Sequence, residues 1–504
     1  MNNTAPADSL QTGINLATRI LLAGIGLGML ADLLLFDTEM AGAGLFLWLL
    51  CFSLAAGWLA RYCPALSTLA TGASIGIVLT AAALLLLRSN AMVILSSTLI
   101  MLTTAAMVLM QSRGLPPQQA TVEDHLRFSF ALLPQALFGS FALFGKLDMG
   151  ALVGNARLRA AGRGALLALP ALLIFSLLFS SADAGFSRLA SGLVDSLSED
   201  LLARLALIGA VTWLCSGLLA PLAQTGNPAQ SKTLQLLRLG TMDTAVFLGL
   251  VVALFLFFVS FQLNYLFGGQ ETIEAVAGLT VAEYARRGFF ELLLVVALSL
   301  AFLLLTANAC GNNRVFRILA LAHIACVLLI LLSALQRLAL YMHSFDLSID
   351  RLFAVAILIW LGVSLLCFAW CIYKDRLNLF APGLILSALL AGFGFGLLNP
   401  ASLVAEINIS RSLENQRPLD SGYLLSLGSD AVPTLVRRLE ELPLLTRCQA
   451  SRGLLAQWSP GASGASKDWR NWNLSLRRAQ QAVSARHLQL QNWSEHCRLP
   501  GRRF

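Results

Sequence analysis

Two neighbouring stretches decide the fold: residues 288–309, GFFELLLVVALSLAFLLLTANA, and residues 316–338, FRILALAHIACVLLILLSALQRL. Each is a nearly unbroken apolar run. Crossing the hydrocarbon core of a bilayer as a helix takes about 20 such residues. The joint between them, CGNNRV at 310–315, is short and polar, as a turn at a membrane surface should be. A transmembrane β-strand would alternate apolar and polar residues over about ten positions, and neither stretch does.

Working outward, similar runs recur at 16–36, 42–60, 68–87, 91–111, 164–182, 201–223, 243–266, 352–373 and 380–398. The pattern predicts an all-α, polytopic bundle of about eleven spans. Composition agrees. Of 504 residues, 57% are hydrophobic and 12% are charged, and the mean hydropathy is +0.74. Soluble domains carry roughly 25% charge. A soluble enzyme, a disordered chain, a coiled coil and a collagen-like fibre are excluded.

The loops suggest an orientation. The segment 112–163 carries Arg113, Arg127, Lys146, Arg157, Arg159 and Arg163. Later alternate loops carry Lys232 and Arg238, Arg314 and Arg317, and Lys374 and Arg376. The other set is acidic or mixed, with Asp37, Glu39, Asp183, Asp195, Glu199, Asp200, Glu271, Glu274 and Glu283. The positive-inside rule assigns the basic loops to the cytoplasm of a bacterial inner membrane. Residues 1–15 are then a cytoplasmic tail, 16–398 the membrane domain with a cytoplasmic basic loop at 112–163, and 399–504 an extracytoplasmic domain. The tail 1–15 has no Lys or Arg, so the first run is read as a retained span rather than a signal peptide. Within the basic loop, 128–145 (FSFALLPQALFGSFALFG) is apolar, but Pro134 and Gln135 interrupt it. It is read as an interfacial helix or a re-entrant stretch. Residues 184–200, with Phe186, Leu189, Leu193 and Leu197 at helical spacing, read as a helix lying along the outer surface.

The tail 399–504 differs in composition: it holds fourteen of the 35 basic residues, eight acidic residues and four of nine tryptophans. Helical patterns run over 420–442, 444–457 and 476–490, with a Gly/Ser/Pro-rich break at 459–466. A small, mainly helical domain follows. Seven of the nine cysteines lie in or beside apolar runs; Cys448 and Cys497 lie in the polar tail, and if that tail is outside they are a disulfide candidate.

The net charge of +8 reflects loops held at an anionic leaflet. No basic stripe interleaved with aromatics occurs, so no nucleic-acid partner is expected. No phosphate-cradling glycine loop, HExxH or GxSxG pattern occurs, so neither cofactor nor metal is expected.

Ionisable residues within membrane spans are functional candidates. They gather at the outer ends of the four runs from 243 to 373. The set is Gln262, Tyr265, Glu283, Tyr284, Arg286, Arg287, Glu291, Arg337, Tyr341 and Arg351. Glu283, Arg287 and Glu291 share a helix face at four-residue spacing, as do Arg337 and Tyr341. If the four helices are neighbours, this is a rim site for an anionic group, because arginine forks match phosphate and carboxylate. Interfacial anchoring and structural ion pairs account for the same residues and are the preferred reading. Asp32, Asp243 and His323 are weaker candidates. Each has a plainer account, respectively snorkelling, helix-dipole stabilisation and a hydrogen bond to a neighbouring helix.

Gln262-Leu-Asn264-Tyr265-Leu-Phe267-Gly268-Gly269, and above all Ala282-Glu283-Tyr284-Ala-Arg286-Arg287-Gly288-Phe289-Phe290-Glu291, resemble a bacterial family of uncharacterised polytopic membrane proteins, a domain of unknown function of the 4153/4173 type. Ser333 with Arg337 and Tyr341, Asn399-Pro400, Glu406 with Asn408, Leu419-Asp420 with Tyr423, and Trp469 to Leu474 fit the same pattern. The resemblance spans roughly 165–475; Ser344 to Leu347 departs from it, where an aromatic-glycine-leucine turn is expected. It implies a multispan bacterial membrane protein and carries no activity.

The functional expectation is an inner-membrane protein that binds or organises envelope components at its outer face. Its partners would be membrane lipids and an envelope protein or glycan. The alternatives are a transporter or flippase, or a transferase acting on a lipid-linked substrate. A transporter usually shows broken helices and midplane polar residues, whereas these polar residues sit at the rim.

Overall fold

The computed structural model describes residues 7–38, 42–144, 199–223, 240–267, 289–310, 313–415, 419–459 and 468–495. The expected span at 164–182 lies outside them, as does the expected surface helix at 184–200 except for Glu199 and Asp200, which begin a described helix. No strand occurs among the described residues. The bundle consists of α1 (Ala7–Leu35), α2 (Ala43–Ala60), α3 (Thr68–Leu87), α4 (Ala91–Ser112), α5 (Val122–Phe144), α6 (Glu199–Leu219), α7 (Thr241–Phe267), α8 (Phe289–Cys310), α9 (Arg314–Ser344), α10 (Ile349–Tyr373) and α11 (Phe380–Leu397). Among the described residues, ten helices are long and apolar enough to cross a membrane, and α8 adds a shorter apolar stretch at Glu291–Ala307.

Local chemistry sets where these helices begin. Ser67, Asn90, Asn313 and Ser348 each accept a hydrogen bond from the first turn of α3, α4, α9 and α10, satisfying amides that a helix start leaves open. At the end of α11, Asn399 adopts φ +51°, a left-handed stop, and Pro400 starts the next helix.

Packing follows two blocks. In the first, α1 lies on α6, α6 on α5, and α2, α3 and α4 follow in sequence. In the second, α9 is central and touches α7, α8 and α10. Its core holds Leu248, Val296, Phe316, Ile324, Val327, Ile330, Leu358 and Phe368. Helix α11 joins the blocks through α10 and α4. Leu22, Met29, Phe130, Leu250 and Leu254 point outward and exposed, as lipid-facing residues do.

The structure differs from the sequence reading at α5. Residues 128–144 do not form a separate interfacial or re-entrant piece. They belong to one continuous helix with Pro134 inside it, and Val122–Leu143 is of spanning length and composition. Neighbouring helices make Pro134 tolerable. Gln135 Nε2 donates to the Gly217 carbonyl at 2.9 Å, Ser140 Oγ donates to the Trp213 carbonyl at 2.7 Å, and Trp213 Nε1 donates to the Leu137 carbonyl at 2.8 Å. The same pairs make α5 and α6 antiparallel, so Phe144 and Glu199 lie at the same end of the bundle.

The tail is helical: α12 (Pro400–Asn415), α13 (Ser421–Ser426), α14 (Val432–Arg438), α15 (Leu444–Trp458), α16 (Leu474–Ala485) and α17 (His487–Glu495). They close on a core of Val404, Ile409, Leu424, Leu435, Leu439, Leu454, Val483 and Leu490. Leu347, from the turn between α9 and α10, is part of that core. The tail therefore sits on one end of the bundle, called here the tail face.

Candidate functional site

Three interhelical turns hold the tail. At the α1–α2 turn, the Ala43 amide donates to the Trp472 carbonyl at 2.9 Å. Arg470 donates to the Leu33 and Phe36 carbonyls at 3.0 and 2.9 Å. Gly42 lets the chains approach this closely, because a Cβ there would lie 2.9 Å from the Arg470 carbonyl oxygen. At the α9–α10 turn, the Asn408 side chain both accepts from the Leu347 amide and donates to the Leu347 carbonyl, each at 2.8 Å. Tyr423 Oη accepts from the Ile349 amide at 3.2 Å, and burial raises its pKa.

The α3–α4 turn is held by Asp430. Its Oδ2 accepts from the Ser89 and Asn90 amides at 2.9 and 3.1 Å and from Ser89 Oγ at 3.4 Å. Its Oδ1 has no hydrogen-bond partner among the described residues and faces the Arg88 guanidinium at 3.7 Å, although only 1% of the side chain is exposed. Around it lies a polar crevice of about 110 Å³ between tail and bundle. Ser429 Oγ bridges Ser89 Oγ and Ser475 Oγ at 2.6 and 2.7 Å. Ser402 Oγ and Thr434 Oγ1 are 2.7 Å apart. Arg478, exposed, completes the lining.

The residues expected at the rim are only partly brought together. Gln262 and Tyr265 are on the last turns of α7, Glu291 on the first turn of α8, Arg337 and Tyr341 on the last turns of α9, and Arg351 on the first turn of α10. Because α9 packs on the other three helices, these ends converge on the tail face. Glu283, Tyr284, Arg286 and Arg287 lie outside the described residues, as does Cys497. Cys448 is disulfide-bonded. Arg351 stacks on the Tyr341 ring at 4.3 Å and donates to the Asp346 carbonyl, which locks the α9–α10 turn.

The weaker candidates have structural partners or surroundings too. Asp32 pairs with Arg204 across α1 and α6 at 3.2 Å. Asp243 Oδ2 accepts from the Gly240 amide at 3.1 Å, at the start of α7. His323 differs from expectation. It lies against the Phe255 and Phe302 rings, and neither ring nitrogen has a hydrogen-bond partner among the described residues.

A second cavity, of about 160 Å³, opens among α2, α3, α4 and the α5–α6 pair. Phe52, Ile75, Val78 and Leu132 line it with a few hydroxyls and Gln135, so its chemistry is that of the lipid chains around it. The tail crevice is richer. Sequence reading missed it because Ser89 and Asp430 are 341 positions apart, and neither belongs to a recognisable pattern.

A family model described as Domain of unknown function (DUF4153) matches residues 41–438. That is most of the chain, which belongs to this family. The match extends further toward the N-terminus than the resemblance read from sequence, and it stops before Trp469–Leu474. It includes Arg88 and Asp430 but not Ser475 or Arg478. Searches of curated proteins and of solved structures found no match.

Proposed function

With membership of this family of membrane proteins as premise, we propose that the protein is a multispan inner-membrane protein that binds an envelope component at its tail face. The ligand class is the polar group of a lipid or lipid-linked glycan. The observation that carries this reading is the tail-face crevice. It is polar, it is bounded by both tail and bundle, and it holds a carboxylate oxygen that accepts no hydrogen bond among the described residues and has only the Arg88 guanidinium beside it, at 3.7 Å. Buried polar atoms are nearly always hydrogen-bonded, so such an oxygen points to a partner from outside the chain.

Charge distribution supports an outward tail. The described turns and helix starts opposite the tail carry Arg61, Arg113, Arg127, Arg314, Arg317, Lys374 and Arg376 with Glu123, Asp124 and Asp375. Those on the tail face carry Asp37, Asp346 and Asp350 with Arg88 and Arg351. Under the positive-inside rule the tail is then extracytoplasmic.

The test is native mass spectrometry of the full chain released from mild detergent. Stoichiometric retention of an envelope lipid or glycolipid after delipidation is the expected result. Retention of nothing beyond the bulk membrane composition would overturn the reading.

A further inference from the structure

We infer that the tail crevice selects a hydroxyl-bearing phosphate ester, the chemistry of a glycerol or sugar headgroup, with Asp430 reading the hydroxyls and Arg478 meeting the phosphate. This deepens the reading above and rests on it. The division of labour at Asp430 is the starting point. Oδ2 is fully used in holding the α3–α4 turn, whereas Oδ1 accepts no hydrogen bond. Arg88 cannot turn to a ligand, because its Nε and one terminal nitrogen donate to the Gly396 and Leu397 carbonyls, each at 3.2 Å. Its other terminal nitrogen faces Asp430 Oδ1 at 3.7 Å.

The chemistry of the lining narrows the ligand. A bare anion would meet the Asp430 carboxylate at the bottom of the crevice. A bare cation would find one carboxylate between two guanidiniums. A hydroxyl donates to Oδ1 and can also accept from the Ser402–Thr434 pair, whose two hydroxyls share one hydrogen bond and keep one hydrogen to donate. The negative charge of the ligand then belongs at Arg478, which has no ion-pair partner among the described residues. The space fits. A water needs roughly 10–15 Å³ of such volume, so about 110 Å³ holds several waters or one small polyol. The depth fits as well: Leu87, Arg88 and Asn399 are at helix ends, where lipid headgroups lie.

The experiment uses the full chain in nanodiscs, with phosphatidylglycerol, phosphatidic acid and phosphatidylethanolamine compared by native mass spectrometry. Soluble glycerol 3-phosphate serves as competitor. Preference for phosphatidylglycerol over phosphatidic acid by about tenfold is expected, the size of one hydrogen bond to a charged group. Asp430→Asn should abolish that preference. Arg478→Gln, at an exposed position, should weaken phosphatidylglycerol binding several-fold without lowering thermal stability, and so keeps the test open if the Asp430 variant misfolds. Competition by glycerol 3-phosphate would assign the same chemistry to a soluble ester; its failure, with phosphatidylglycerol retained, would assign it to the lipid. Equal binding of phosphatidylglycerol and phosphatidic acid, or an Arg478→Gln protein that binds as the wild type does, would overturn the inference while leaving the broader reading standing. Failure of the wild type to retain any envelope lipid or glycolipid would overturn both.

Discussion

His323 is 1% exposed, with the Phe255 and Phe302 ring centroids 4.3 and 5.7 Å away. A buried imidazole without hydrogen bonds costs about 1–3 kcal/mol, and an aromatic hydrocarbon of similar shape avoids that cost. His323→Phe should therefore leave thermal stability unchanged or raise it by a few degrees. A clear fall in the unfolding temperature in detergent would mean that the ring has a polar partner. The sequence singled out His323 correctly as unusual. It could not show the surroundings, because those come from α7 and α8. Asp468 is a second residue with a measurable consequence. Hydrogen bonds from the Arg470 guanidinium and amide hold its pKa below the ordinary 3.8. A lowered carboxylate pKa means the folded state favours the anion. Its contribution is complete above 3.8 and fades as pH falls through the lower, folded value. Since Arg470 grips the α1–α2 turn, protease sensitivity of the tail should rise in acid below that range. Asp468→Asn should show the same sensitivity already at neutral pH.

At the scale of elements, small residues govern the first block. A Cβ at Gly28 of α1 would lie 2.6 Å from the Ile208 carbonyl oxygen, and one at Gly217 of α6 would lie 2.9 Å from the Gln135 carbonyl oxygen. Both neighbours are backbone, so relief requires the helices to separate. Close approach of this kind is a main source of helix association in lipid, where burying apolar surface adds little. Gly28→Val and Gly217→Val should each destabilise by about 1–3 kcal/mol, as overpacked cores do. Gly26→Val is the control, because its Cβ would meet nothing within 4 Å. Equal loss of monodisperse protein in all three variants would refute the packing account. Whereas α1 and α9 extend six or more residues beyond their apolar runs, the starts of α3 and α4 were legible from sequence, since Ser67 and Asn90 stand immediately before theirs. The α5 helix was not, because Pro134 and Gln135 argue against a span when read locally. Their cost is offset by α6, sixty or more residues later in the chain.

For the whole molecule, the all-helical bundle and helical tail could be read from apolar run length and composition, which are local quantities. The tail crevice could not, because its walls come from α3, α11 and the tail, and only folding makes them neighbours. The span count shows the same division. With α5 as a span, Phe144 at its end and Glu199 at the start of α6 share the tail face. The crossing expected at 164–182 lies outside the described residues. The described helices still carry the chain from one face at α1 to the other at the tail, and that arrangement is open to direct measurement. Cys448 is disulfide-bonded, and the proposed partner is Cys497, enclosing 48 residues. Closing such a loop contributes roughly 4 kcal/mol in the chain-entropy model. In intact spheroplasts, a membrane-impermeant thiol reagent should reach these two cysteines only after reduction. Labelling without reduction, together with an unchanged unfolding temperature in Cys448→Ser, would remove the disulfide. Labelling confined to broken membranes would put the tail in the cytoplasm, where thiols stay reduced. The ligand of the Asp430 crevice would then have to be sought in the inner leaflet.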